Sequence, residues 1–144
     1  MKTLFAFVFV GSITLAARGQ TDTIDSLRTE LANAKADTTQ IRIMAELGAE
    51  WIYLQTDSAY LYLNRANQQA LSLDYHKGVA ISLNYLGRYY QQVGDYSRAL
   101  KSFLDALKVK IDPAFPKIHV ITLLDLGKLY SAMRMYSGAE DLFR

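Results

Sequence analysis

An all-α chain of stacked helix pairs is the fold class that the sequence predicts, on three observations. The first is a period: Ala59, Ala99 and Ala139 stand 40 residues apart, and so do Leu63, Phe103 and Phe143. The second is a repeated pair, Leu47-Gly48, Leu86-Gly87 and Leu126-Gly127, each followed three residues after its glycine by Trp51, Tyr90 or Tyr130. The third is the scarcity of breakers, with two prolines and eight glycines in 144 residues and no long polar tract. A pattern recurring at this length marks supersecondary units that bury their apolar faces only against one another.

The elements follow in chain order. Lys2, an apolar run from Leu4 to Ala17, and small residues before Gln20-Thr21-Asp22 form the charged start, apolar middle and small-residue end of an export signal over 1–19. The run is shorter than the ~20 residues that a permanent membrane helix needs. Without cysteine, the chain has neither a disulfide framework nor a thiol for a lipid anchor. Removing 1–19 takes away Lys2 and Arg18 and no acid, so 16 bases against 14 acids become 14 against 14. A neutral mature part gives no electrostatic pull towards nucleic acid or an acidic membrane.

Over 20–36, Ile24, Leu27, Leu31 and Ala34 make a short helical stripe, capped by Asp22 or Thr23, that is expected to cover the first repeat. The array then runs over 37–144, in repeats spanning 38–75, 76–114 and a truncated 115–144. The middle repeat is the clearest. Ala80, Leu83, Leu86-Gly87 and Tyr90 form one face of a first helix, and Gly94-Asp95 breaks it with Asp95 as the next cap. Ala99, Phe103, Ala106 and Leu107 form the second helix, whose small residues meet the glycine of the first. The first repeat carries Met44, Leu47-Gly48, Trp51, Ala59, Leu63 and Ala66, with a shorter turn at Gln55-Thr56-Asp57. The third carries Leu123, Leu126-Gly127, Tyr130, Tyr136, Ala139 and Phe143, with its turn expected at Met133-Arg134-Met135-Tyr136. Pro113 and Pro116 stop one helix from running into the next.

The run Leu83, Leu86-Gly87, Tyr90, Gly94-Asp95-Tyr96, Ala99, Phe103, Ala106-Leu107 resembles the tetratricopeptide repeat. The resemblance implies a tetratricopeptide-type α-α superhelix, here with repeats of about 40 residues against the usual ~34. It also implies a concave groove lined by first helices. In the middle repeat the positions that would face it are Ile81, Asn84, Arg88, Gln91 and Gln92. In the first they are Arg42, Ala45, Ala49, Ile52 and Tyr53, and in the third Ile121, Leu124, Lys128, Ser131 and Ala132. The partner expected there is a protein or peptide segment. Asn84 and Arg88, four residues apart, would address the same stretch of it.

The residues of catalysis are missing from the pattern. His76 and His119 lie 43 residues apart, each in or beside a connector, and neither belongs to a metal-ligand motif. Glu46 and Glu50 share a helix face within reach of Arg42, which suits a solvated ion pair. Most of the ten tyrosines fit packing positions or seams between helices. No catalytic residue, cofactor or metal site is expected.

An export signal ahead of such repeats is similar to the extracytoplasmic input region of certain bacterial sensor histidine kinases and related signalling proteins. By that resemblance the chain is an exported, periplasmic N-terminal piece of a longer protein, with any output domain beyond Arg144. A stand-alone secreted or periplasmic scaffold is the alternative, and a cytoplasmic adaptor held by an uncleaved anchor is a third reading. Self-association through the uncapped last repeat is a further expectation.

Overall fold

The computed structural model describes residues 19, 21–35, 37–54, 56–113 and 116–142, with side chains through Arg134. The expected export signal falls almost wholly outside them. Six helices and no strand occur among the described residues: α1 (21–33), α2 (Thr38–Trp51), α3 (Thr56–Ser72), α4 (His76–Gln92), α5 (Tyr96–Lys108) and α6 (Lys117–Leu142). The chain is an all-α array of the tetratricopeptide type.

Each boundary has a local cause. The Asp37 carboxylate accepts from the Thr39 backbone N–H at 2.8 Å and opens α2. Asp74, at φ 50°, turns the chain after α3, and the Tyr75 ring closes on Gly78 at the start of α4. Gly94 adopts φ 81°, a left-handed conformation that suits glycine and ends α4. Asp95 then caps α5 by accepting from the Arg98 backbone N–H at 2.9 Å. This bond and the Arg98 guanidinium hold the Asp95 carboxyl below its ordinary range. A depressed folded-state pKa contributes stability above the unfolded value, and that stability is lost as pH falls through the folded value. Acidification is therefore expected to fray the start of α5, and Asp95→Asn to blunt this effect. Amide exchange of residues 96–99, followed from pH 5 down to pH 2, tests it.

Neighbouring helices pack in order, α2 on α3, α3 on α4, α4 on α5 and α5 on α6. The first helices also touch, α2 with α4 and α4 with α6, whereas α3 and α5 do not meet. The array therefore bends towards α2, α4 and α6. Two glycines let the pairs close. A Cβ on Gly48 would lie 2.6 Å from Leu63, and one on Gly87 would lie 2.6 Å from the Phe103 ring. Phe103 is fully buried with Ala99, Leu126 and Leu129, so one ring joins α4, α5 and α6. The helix α1 buries Ile24 and packs Leu31 on the first repeat. Arg28 stacks 5.3 Å from the Trp51 ring centroid, and Glu30 pairs with Arg42 at 2.7 Å.

The third repeat departs from expectation. No turn occurs at Met133–Tyr136, and α6 continues as one helix to Leu142. Where the second repeat has Gly94-Asp95, the third has Arg134-Met135. It lacks both the residue suited to φ > 0 and the cap, so the helix propagates. Leu123 and Tyr130, expected in packing, are 56% and 49% exposed in consequence.

Candidate protein-binding face

In register, α2, α4 and α6 present four equivalent rows. Arg42, Ile81 and Ile121 form the first, Glu46, Tyr85 and Asp125 the second, Ala49, Arg88 and Lys128 the third, and Gln92 and Ala132, with Tyr53 in the turn just past α2, the fourth. Rows spaced four, three and four residues apart share one side of a helix.

Arg42 is engaged, donating at 2.7 Å to both Glu46 and Glu30, and its pKa is raised chiefly by the Glu46 bond. Arg88 lies 5.6 Å from the Tyr85 ring centroid, a cation held over an aromatic face. Burial pushes the Tyr85 phenol up, with Arg88 opposing and Glu46, Glu50 and Asp125 reinforcing. Lys128 donates to Asp125 at 2.9 Å. At one end of this surface Tyr53 is 62% exposed, whereas Leu124, also 62% exposed, holds the position of Asn84 on α6 and lies outside the four rows.

Asn84 corrects the sequence expectation. It is 1% exposed, and its amide donates to Thr122 Oγ1 at 3.2 Å and Asp125 Oδ2 at 3.3 Å. It joins α4 to α6 instead of facing a ligand. Its counterpart Ala45 in the first repeat is equally buried, so this position is a helix–helix seam. Ile52, the counterpart of Gln91, is 1% exposed and also faces the core. Gln91 itself is half-buried. Ile81 and Arg88 are half-buried too, while Arg42, Gln92 and Lys128 are exposed, so these stay open to a partner.

Thr122 and Asp125 escaped the sequence reading, which placed Tyr85 among the tyrosines of helix surfaces and seams. The available signal was that Thr122 and Asp125 follow Asn84 by 38 and 41 residues, close to the repeat period. Removing Asn84 leaves a carboxylate that is nearly buried, 8% exposed, short of one donor. Asn84→Ala is expected to cost about 1–3 kcal/mol, and Arg88→Ala less than about 0.5 kcal/mol, in chemical denaturation. Equal effects would place Asn84 on the surface.

Residues 79–111 match the Tetratricopeptide repeat family model. The match spans nearly all of α4, the Gly94-Asp95 turn and all of α5, the repeat whose marks are complete. No curated protein and no solved structure matches the chain in comparison. Tetratricopeptide repeats generally mediate protein–protein interaction.

A solvent-open cleft of about 740 Å³ between α1 and α2 is lined by Asp25, Ser26, Thr29, Glu30 and Asn33 among others, with Glu30 held by Arg42. His76 is exposed, 3.9 Å from Asp74, and His119 is half-buried, its Nε2 without a hydrogen-bond partner among the described residues. Among the described residues no cluster of His, Asp or Glu has the arrangement to hold a metal ion.

Proposed function

We propose that this chain is a non-catalytic binding module that takes a protein or peptide segment on the face formed by α2, α4 and α6. The observation that carries the reading is the continuity of the three first helices, with the Tyr85–Arg88 pair at the centre. Tyr53 supplies apolar contact at one end. Two of the cations, Arg42 and Lys128, already hold carboxylates. The face therefore favours a segment with mixed polar and apolar side chains over a bare carboxylate terminus.

Peptides selected from a random displayed library against the purified chain provide the test. Arg88→Ala and Gln92→Ala, with unchanged helix content, should each weaken selected peptides about tenfold, or 1.4 kcal/mol. Peptides that bind both variants as tightly as the parent would refute this face.

The same reading places the module outside the cytoplasm, as the input region of a longer signalling protein. Its support is the sequence Lys2 and Leu4–Ala17. Among the described residues no helix is long and apolar enough to cross a membrane. N-terminal sequencing of the protein recovered from its native host checks export: a start near residue 20 supports it, and an intact Met1 opposes cleavage. Reading the gene beyond codon 144 checks the signalling role, which requires an apolar span and an output domain there.

A further inference from the structure

The repeat carries a second, independent surface. In the first pair the glycine of the first helix is closed by Leu63, 15 residues after Gly48. In the second it is closed by Phe103, 16 residues after Gly87. In the third, a Cβ on Gly127 would meet nothing within 4 Å. Leu123 and Tyr130, which flank Gly127 on the same side of α6, stand where Leu83 and Tyr90 are half-buried in the second repeat. The chain nevertheless contains the matching second-helix pattern. Tyr136, Ala139 and Phe143 repeat Tyr96, Ala99 and Phe103 at a spacing of 40, and Phe143 follows Gly127 by 16.

The continuity of α6 keeps that pattern from its own seat. At about 1.5 Å per residue, Ala139 lies about 18 Å along the axis from Gly127. The turn that would bring it back requires φ > 0 at the position of Gly94, which Arg134 occupies here. Among the described residues the seat at Gly127 on a continuous α6 is therefore open, and the sequence repeats the seat-filling pattern farther along the chain.

We propose that the face at Leu123, Gly127 and Tyr130 is occupied by residues 136–143 of a second copy of this chain, exchanged reciprocally. The seat and the segment lie on one helix, so a two-fold pair fills both seats and closes. Each junction then repeats the packing of α4 on α5. This dimer does not use the α2–α4–α6 binding face, so Arg88→Ala leaves it intact and a change at Gly127 leaves peptide binding at Arg88 intact.

The test uses the full chain, whose lack of cysteine makes introduced thiols unique. The parent is expected to sediment as a dimer. Gly127→Leu is expected to raise the dissociation constant at least tenfold with helix content retained, since the position is open within one chain. In the G127C/F143C variant, mild oxidation should give a disulfide that joins two chains on a non-reducing gel. A monomeric parent, a dimer indifferent to Gly127→Leu, or a disulfide formed within one chain would each overturn the proposal. The last outcome would show that the segment folds back on its own helix.

Discussion

Phe103→Ala is expected to cost about 3–5 kcal/mol, the largest effect of any single truncation in this chain. The ring is fully buried and touches three elements: the Gly87 site of α4, its own α5 neighbours, and Leu126 and Leu129 of α6. Truncation leaves a cavity where two inter-helix seams meet, so the third repeat loosens along with the second. At roughly 2–8 °C per kcal/mol for domains of this general size, the melting midpoint should fall by about 6 °C or more. Thermal unfolding followed by circular dichroism measures it. A loss below about 1 kcal/mol would mean that α5 and α6 collapse onto the gap, and that the ring is not the joint described here.

Gly87→Ala is expected to destabilise by about 1–3 kcal/mol, although alanine is the better helix former. The new methyl would sit 2.6 Å from Cδ1 and Cε1 of Phe103, and a ring held on every side has little room to move. Gly127→Ala is the internal control. At the same repeat position nothing within one chain faces the added carbon, so at concentrations low enough to keep the chain monomeric it should gain up to about 1 kcal/mol from helix propensity alone. Opposite signs at Gly87 and Gly127 would show that the environment of the position, and not the glycine itself, sets the effect. Matching signs would mean that the two seats are equally filled or equally open. Urea unfolding of the two variants reads both.

The helix pairs were legible in the sequence because their marks are local or strictly periodic. Leu86-Gly87, Tyr90 and Phe103 announce a close crossing through their sizes alone, and Gly94-Asp95 announces its turn through backbone chemistry. The binding face was harder to read. Asn84 was expected in the groove, yet it lies in the seam with α6. A polar side chain four residues before an arginine looks the same in sequence whether it faces solvent or a partner amide and carboxylate. Thr122 and Asp125 supply that difference from 38 and 41 residues away. The ion pairs of Arg42 show the same limit in part. Glu46 is one turn along the helix and was foreseen, whereas Glu30 comes from α1 and was not.

By itself, then, the sequence determined that this is an all-α repeat array and where its first two helix pairs cross. Helical period, side-chain volume and turn propensity are properties of short stretches and survive without knowledge of the rest. Only the tertiary structure decided that Asn84 clasps α4 to α6, that Tyr85 and Arg88 form the centre of the open face, and that α6 runs on past its expected turn. Those outcomes depend on which groups meet across helices. They also depend on whether propagating α6 is easier than bending it at Arg134, a balance between distant contacts and local geometry that no short window of sequence contains.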